Sequence, residues 1–229
     1  MTQLAQDDLN SRMRSYLAEV YRLAERDGTL EAGYVSTSAL AELLFVSAPA
    51  VNRMVNRLKE IDYLEHEPYQ GIRLTDTGRH EALLQLRQHR ITEAFLVEVM
   101  GFGWDEIFHE AQRMSHTLTP PILERMYEMA GQPTVCPHGE AIPATDGSVT
   151  SPDDDLLTQT DAGQTVIISR ILTREADRLQ YLEALTLRPG TEFEILHVAP
   201  FNGPLQLKIQ NEYRIVGYNL AQLIRVKPA

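Results

Sequence analysis

Apolar residues first recur with helical spacing near the amino terminus. Between about Asp8 and Arg26 they return every three or four positions, as Met13, Tyr16, Leu17, Val20, Tyr21 and Ala24. That spacing puts them on one face of a helix, and Gly28 follows as a helix-ending residue. The pattern predicts an amphipathic first helix whose apolar face packs against a core.

A short helix, a tight turn and a second helix follow in the stretch STSALAELLFVSAPAVNRMVNRLKEIDYL. Leucines at positions 40, 43 and 44 mark the short helix, and Phe45-Val46-Ser47 is the turn. Ser47 has the place of an N-cap, and Pro49 lies in the first turn of the second helix, where its missing N–H costs nothing. This order predicts a helix-turn-helix motif.

The second of these helices has one apolar and one polar face. Its apolar stripe consists of Val51, Met54, Val55 and Leu58. Arginine and asparagine on the polar face can form paired hydrogen bonds to guanine and adenine edges in the major groove, although an ordinary surface helix has the same pattern. The predicted DNA-binding residues of this region are Ser47, Pro49, Asn52, Arg53, Asn56 and Arg57.

Two short strand patterns come directly after that helix. Residues 63–67 and 72–75 are joined by the turn sequence Pro-Tyr-Gln-Gly, which predicts a β-hairpin in the position of a wing. Arg73, close to this turn, is a candidate contact to backbone phosphate. The whole pattern predicts a winged helix-turn-helix over about residues 8–78, in a DNA-binding domain of residues 1–78.

The next helices carry potential metal ligands. In HRITE, His89 and Glu93 stand one helical turn apart and can bind a divalent ion together, although a surface ion pair or hydrogen bond is the simpler explanation. After a glycine-containing loop, another helix puts three polar residues on one face: His109, Gln112 and His116. These elements belong to a helical domain predicted for residues 79–143.

The only cysteine lies in VCPHGEAIP, residues 135–143. A single cysteine forms no disulfide within the chain, and we expect the reducing environment of a bacterial-type cytoplasm. A free cysteine is commonly a small buried apolar residue. Cys136 stands two positions before His138 in a loop stiffened by prolines, which favours a pair of metal ligands.

Residues 144–163 are rich in Pro, Gly, Ser, Thr and Asp and lack an apolar period, so we predict an acidic linker. Beyond it, short runs of β-branched and alternating residues predict strands, with a helix around LQYLEAL between the first two. The strand sequences are QTVIISRIL, TEFEILHVAPF, LQLKIQ and EYRIVGYNLAQLIRV. The chain is therefore expected to be an α+β protein of several domains.

The charge of the chain is unevenly distributed. There are 21 basic and 32 acidic residues, a net charge of −11, which argues against a generally basic nucleic-acid binder. More than half of this charge lies in residues 136–169, which hold no Lys or Arg and include Glu140, Asp146, Asp153, Asp154, Asp155 and Asp161. No secretory signal or membrane-spanning run is recognisable, so we expect no membrane partner.

Three motifs, in this order, carry a resemblance to a known family: QLRQHRITEAFLVEVMGF, HEAQRMSHTL and CPHGEAIP. Together they resemble the diphtheria toxin repressor and manganese transport regulator family of metal-activated bacterial transcription factors. The resemblance spans nearly the whole chain and is weaker in the carboxyl-terminal part. The combination is specific, whereas any one motif alone is not.

This resemblance implies a homodimer that binds a double-stranded DNA operator. It also implies a divalent metal, Mn²⁺ or Fe²⁺, with Zn²⁺ as a further candidate. In the family the metal stabilises the dimer geometry that places two recognition helices in successive major grooves. The implied function is allosteric regulation, and most simply repression, of metal-homeostasis genes.

The resemblance also implies metal ligands. In a manganese-regulator subgroup, Cys136 and His138 would share a site with Glu93. The family's principal site departs from its pattern here, because Ser15, Gln112 and Ser115 stand where the family has stronger ligands. His116 alone is retained, and the candidates to complete that site are His109, Glu110 and Met13.

The carboxyl-terminal region resembles the SH3-like, FeoA-like domain of many family members, which predicts a β-barrel over residues 164–229. In relatives such a domain can donate a carboxylate to the second metal site, and Glu175 and Asp177 align near that position. Acidic residues are also favoured at any helix amino terminus by the helix dipole.

Two other functions fit part of the pattern. The first is a winged-helix regulator whose effector is a small organic molecule. The second is a metal-dependent hydrolase, in which His, Cys and Glu hold zinc with a position for water. The sequence contains no HExxH, nucleophile-elbow, P-loop or dinucleotide-binding motif, so we do not expect an enzyme.

Overall fold

The computed structural model describes residues 9–26, 33–150 and 152–229. It contains eight α-helices, one short 3-10 helix and eight strands in these ranges, and they form two compact units. One unit comprises the chain up to Gln88 with Pro143–Val149, and the other comprises His89–Ile142 with Thr150–Ala229. The predicted start of the first helix at Asp8 and the helix-ending Gly28 lie outside the described residues, whereas its predicted end at Arg26 is confirmed.

The amino-terminal unit contains the predicted helix-turn-helix. Helix α1 (Ser11–Arg26) buries the predicted apolar stripe, and α2 (Thr37–Leu43) and α3 (Ala48–Glu60) follow. Ser47 has the backbone conformation of an N-cap, but its side chain forms no capping hydrogen bond. The core of this unit joins Met13, Leu40 and Val55 with residues at the start of the next long helix.

The wing is a two-stranded antiparallel hairpin of β1 (Leu64–Glu67) and β2 (Gly71–Leu74), with Glu65 opposite Arg73. Val35 pairs with Ile72 on its outer side as an isolated bridge. Gly71 has a φ of +119°, and a Cβ there would lie 2.3 Å from the Val35 carbonyl oxygen. This glycine therefore permits the close backbone approach that ties the wing to the preceding segment.

Three helices form the middle of the chain: α4 (Asp76–Glu98), α5 (Phe108–Ser115) and α6 (Pro120–Met129). Pro120 and Pro121 open α6, where proline needs no hydrogen-bonded N–H. In the second unit, Ile91 of α4 packs with Leu123 and Met126 of α6 in a small apolar cluster. Helix α4 is long enough to contribute residues to both units.

The carboxyl-terminal region is a six-stranded antiparallel sheet with α7 (Ala176–Ala184) and the short α8 (Tyr218–Ala221). The strands are β3 (Asp155–Leu156), β4 (Thr165–Ile171), β5 (Glu192–Val198), β6 (Leu205–Ile209), β7 (Glu212–Val216) and β8 (Ile224–Pro228). Their order is β3-β8-β4-β5-β6-β7, so β3 and β7 are edges in the part of the chain that the structure describes. The predicted closed barrel is not confirmed, because no hydrogen-bonded ladder within the described ranges joins these two edges.

The segment predicted as an acidic linker is partly built into the fold. Val149 packs against the amino-terminal core, and β3 pairs with β8. Asp154 is buried, where its carboxylate accepts hydrogen bonds from Arg170, Arg225 and Ser169. The arginines that neutralise this acid lie far along the chain, which is why local composition did not reveal the fold of the segment.

Candidate metal centre and nucleic-acid interface

A small hairpin carries Cys136 and His138. Val135 pairs with Ala141, and the Gly139 N–H donates to the Cys136 carbonyl oxygen at 2.8 Å, which closes a four-residue turn. Pro137 has the second position of this turn, which its fixed φ suits. The turn thus places the thiol and the imidazole two residues apart on one compact loop.

Helix α4 supplies the third group. Donor atoms of Glu93, Cys136 and His138 all lie within 4.8 Å of one another. The three residues are 1%, 3% and 0% exposed, so the cluster is in the interior. Nδ1 of His138 is 3.2 Å from Oε1 of Glu93. The structure therefore brings together the three residues that the family resemblance placed in one site.

His89 belongs to the same group of side chains. Its Nε2 is 3.1 Å from Glu93 Oε1, and it is buried against the ring of Phe108. The predicted one-turn spacing thus produces a hydrogen bond in the interior and not a surface ion pair. Burial by itself would raise the pKa of Glu93, yet His89 and His138 hold that pKa well below its usual range.

The thiol of Cys136 is held in its neutral form. Burial, and after it the carboxylates of Glu93 and Glu140, raise the pKa of Cys136 far above its ordinary value. A thiolate is the form that binds metals, so an incoming cation would have to displace the thiol proton.

This donor set fits a transition-metal ion. Glu93 Oε2 and His138 Nε2 have no hydrogen-bond partner among the described residues. A buried polar group without a hydrogen-bond partner costs about 1–3 kcal/mol of folding free energy. Such groups are therefore rare in native structures, and a bound ligand is one explanation for them. A carboxylate, a thiolate and an imidazole are all ligands of divalent transition metals.

The other predicted metal ligands lie elsewhere. His109 and Glu110 are exposed on α5, where Glu110 pairs with Arg113. Gln112 is half-buried, and His116 is an exposed residue at the carboxyl end of that helix. Among the described residues, the only cluster of three or more possible His, Cys, Asp or Glu ligands is the one around Cys136.

Met13, the remaining candidate to complete the principal site, and the two serines that replace family ligands all have other contacts. Met13 is fully buried in the amino-terminal core, and the Ser15 hydroxyl donates to the Ser11 carbonyl oxygen. Ser115 is buried, and its hydroxyl donates to the Gln112 carbonyl oxygen. Backbone bonds of this kind are the ordinary role of serine in helices.

The carboxylates predicted from the carboxyl-terminal domain are on its surface. Glu175 precedes α7 and pairs with Arg178 at 2.9 Å, with both side chains about half exposed. Asp177 is exposed in the first turn of that helix. Both positions match the alternative expectation for acids at a helix amino terminus.

Three residues around the cluster were missed by sequence reasoning. Trp104 packs its ring edge-on to His138, with centroids 5.7 Å apart, and donates its Nε1 hydrogen to Glu183 at 2.5 Å. Glu140 and Arg174 form an ion pair at 2.7 Å. Glu140 stands within the CPHGEAIP motif, which was a usable signal, whereas nothing local marked Trp104 or Arg174.

The polar face of α3 is exposed as predicted. Asn52, Arg53, Asn56 and Arg57 are all solvent-accessible, and so are Ser47 and Pro49 at the start of the helix. Val51, Val55 and Leu58 are buried on the opposite side. A helix held by its apolar face and projecting Arg and Asn outward has the chemistry needed to contact base edges.

Arg73 in the wing is exposed but already has partners. Its Nε donates to Glu65 at 2.6 Å, and its guanidinium lies 5.2 Å from the centroid of the Tyr34 ring. The hydrogen bond and charge of Glu65 raise the pKa of Arg73. A phosphate would therefore have to compete with Glu65 for this side chain.

Comparison with known proteins connects these features. A family model described as "Iron dependent repressor, N-terminal DNA binding domain" matches residues 8–72, and "Iron dependent repressor, metal binding and dimerisation domain" matches residues 75–144. An HTH-type transcriptional regulator MntR of Geobacillus thermodenitrificans is 30% identical over 117 residues, which are 51% of this chain and 79% of that protein. The chain belongs to the diphtheria toxin repressor and MntR family.

Further relatives in this family extend the match. The iron-dependent repressor IdeR of Mycobacterium leprae is 31% identical over 137 residues, 60% of this chain and 57% of that protein. The chain thus spans little more than half the length of this relative. A solved manganese-dependent transcriptional repressor in complex with manganese is 29% identical, with a TM-score of 0.86, over 95% of this chain and 100% of that one.

The carboxyl-terminal region matches the FeoA domain over residues 156–228, which confirms the predicted domain type without the closed barrel. The family is one of DNA-binding transcriptional repressors and not of enzymes, so the hydrolase alternative is not supported. No helix in the described ranges combines the length and the hydropathy needed to cross a membrane.

Proposed function

We propose that this protein is a metal-dependent DNA-binding regulator, a homodimer that represses metal-homeostasis genes in the cytoplasm. One observation carries the proposal: a buried cluster of Glu93, Cys136 and His138, with unpartnered polar atoms, lies in a chain that also has an exposed recognition helix. Family membership supports the same conclusion. If metal binding and DNA binding are coupled, bound metal must raise the affinity for DNA by the same factor by which bound DNA raises the affinity for metal.

The metal-binding residues in this proposal are Glu93, Cys136 and His138. His89 orients the Glu93 carboxylate through the hydrogen bond at 3.1 Å. A bound divalent ion would supply positive charge between α4 and the hairpin of residues 135–141. The soft Cys136 thiolate favours Fe²⁺ or Zn²⁺, while a solved neighbour with manganese keeps Mn²⁺ among the candidates.

Arg53 and Asn52 on α3 are proposed to contact bases, with Asn56 and Arg57 beside them. Replacing Arg53 with Ala should cost about 1–3 kcal/mol of operator binding and relax sequence preference. Arg73→Ala should weaken binding to all sequences alike, and only slightly, because Glu65 already holds that side chain. Binding titrations on operator and random DNA test this assignment, and an equal loss on both for Arg53→Ala would contradict it.

The helical region is proposed to form the dimer. Several of its large apolar side chains are exposed, namely Val99, Met100, Phe102, Ile122 and Met129. Exposed apolar residues in such numbers are typical of an interface between protein chains. Light scattering should give twice the chain mass of 25.9 kDa, and a strictly monomeric protein with and without metal would rule out paired operator contacts.

The regulator proposal is tested by metal analysis and gel shift on one preparation. The purified protein should contain a divalent metal, and its operator binding should disappear on chelation and return with Mn²⁺, Fe²⁺ or Zn²⁺. Operator binding that is unaffected by chelation would refute metal dependence and would favour an organic effector.

A further inference from the structure

Two arginines and one additional acid surround the donor cluster. Glu140 follows His138 by two positions and is buried. Its Oε2 lies 3.0 Å from an Nη of Arg90 on α4 and 2.7 Å from an Nη of Arg174. Arg174 stands between β4 and α7, so it is supplied by the FeoA-like domain.

Arg174 is held in a defined orientation. Its Nη1 donates to the carbonyl oxygens of Ile171 and Thr173, both at 2.7 Å. The guanidinium lies 5.8 Å from the centroid of the Phe108 ring. A planar guanidinium with several fixed partners loses little further freedom when it binds a carboxylate. The side chain is therefore preorganised to hold Glu140.

The backbone of the hairpin also rests on β4 of the FeoA-like domain. The Ile171 N–H donates to the His138 carbonyl oxygen at 2.9 Å. Gly139 has a φ of +86°, and a Cβ there would lie 1.9 Å from the Ser169 carbonyl oxygen. These contacts set the distance between the hairpin and the sheet, and the pair of Arg174 with Glu140 adds charge at the same place.

Charge gives Arg174 a role beyond packing. When a divalent cation binds, its charge offsets those of the Glu93 carboxylate and the Cys136 thiolate, but Glu140 adds a third buried negative charge beside them. Like charges at such distances repel strongly in a medium that screens them weakly. Arg90 and Arg174 offset this repulsion through their contacts with Glu140. Burial by itself would lower the pKa of Arg174, but the charges of Glu140, Glu93 and Cys136 raise it overall.

We propose that Arg174 is a positioning residue of the metal centre, by which the FeoA-like domain holds Glu140 and the hairpin that carries Cys136 and His138. This inference rests on the proposed metal-binding function. In this chain the FeoA-like domain contributes a positively charged arginine, Arg174, to the centre. The resemblance had led us to expect a carboxylate from Glu175 or Asp177.

The test is a titration of the full-length, metal-free protein with Co²⁺, monitored by absorption. A thiolate bound to Co²⁺ gives a near-ultraviolet charge-transfer band, and the visible bands report the geometry around the ion. Arg174→Ala should weaken Co²⁺ binding about 10–100-fold, the usual effect of removing an outer partner of a metal ligand, and should change the visible bands. Arg174→Lys, which keeps the charge, should recover part of the affinity.

Arg178→Ala is the matched control. It removes the same charge from the same segment, but Arg178 is exposed and its guanidinium pairs with the surface residue Glu175. Its Co²⁺ affinity and spectrum should equal those of the wild type. If Arg174→Ala also matches the wild type in both, or if Arg178→Ala is impaired as much as Arg174→Ala, the proposal is wrong.

A double-mutant comparison of Arg174→Lys with Glu140→Gln tests the proposal even if Arg174→Ala fails to fold. If Arg174 acts through Glu140, the conservative Arg174→Lys change should weaken Co²⁺ binding less in a Glu140→Gln protein than in the wild type. Full additivity of the two changes would overturn the proposal. If instead the wild type gives no charge-transfer band with Co²⁺, the proposed metal site itself fails, whatever Arg174 does.

Discussion

Two groups of potential ligands in this chain look alike in sequence and differ in structure. The first is the cluster of Glu93, Cys136 and His138, and the second is the row of His109, Gln112 and His116 on α5. Each contains histidine at a spacing that suits metal binding. The first group is buried with unpartnered atoms, whereas the histidines of the second are exposed to solvent.

The difference shows that spacing alone does not identify a metal site. Water satisfies exposed histidines at no cost, so their presence on one helix face needs no ligand to explain it. A buried carboxylate oxygen and a buried imidazole nitrogen without partners are unfavourable unless something binds them. The comparison therefore supports the proposal that the first group, and not the second, binds the metal.

Removing a donor from the buried cluster should have the largest effect. Cys136→Ala or Glu93→Gln should weaken metal binding by more than about 100-fold, above the range expected for an outer partner, because a coordinating anion is lost. Operator binding should then no longer respond to metal. Metal titration of operator binding measures this, with circular dichroism to verify folding.

The opposite result would contradict the ranking of the buried cluster above the α5 group. Should Cys136→Ala respond to metal like the wild type while His116→Ala abolishes activation, α5 would hold the functional site. Cys136 would then be only a small buried apolar residue.

Metal affinity should depend on pH with a definite sign. Burial and Glu93 raise the pKa of Cys136, so the thiol keeps its proton near neutral pH and must release it when a cation binds. Affinity should therefore rise with pH, by about tenfold per unit for one released proton. Calorimetric titrations from pH 6 to 8 measure the slope, and Cys136→Ala should flatten it. A wild-type affinity that is constant with pH would contradict thiolate binding.

The only tryptophan gives a local signal for the buried cluster. Because Trp104 lies against the His138 ring, metal binding there should change its fluorescence in a saturable way. The change should be lost in His138→Ala and kept in His116→Ala. A change that persists in His138→Ala would mean that the metal binds elsewhere.

The exposed group should give the smallest effect. His109→Ala or His116→Ala should alter metal-dependent operator binding by no more than about twofold, since surface substitutions usually change free energies within about 0.5 kcal/mol. Gel-shift titrations resolve such a difference. A loss of tenfold or more in either variant would show that α5 takes part in metal recognition.

Much of the fold was predictable because it depends on local patterns. The apolar stripe of α1, the turn before α3 and the wing hairpin follow from periodicity and turn residues, which act over a few positions. The open sheet was not predictable from the strands themselves, since closure depends on which edges meet. The fold of the segment around Asp154 depends on Arg170 and Arg225, which no local composition could indicate.

The sequence by itself determined the helix-turn-helix, the wing and, through its resemblance to a family, the grouping of Glu93, Cys136 and His138 as candidate metal ligands. Only the tertiary structure decided which histidines are buried, that Glu175 and Asp177 stay at the surface, and that Arg174 holds Glu140. The physical reason is the distance along the chain between the residues that interact. Helical and strand patterns arise between near neighbours, whereas burial and charge pairing depend on residues that folding brings together from distant positions.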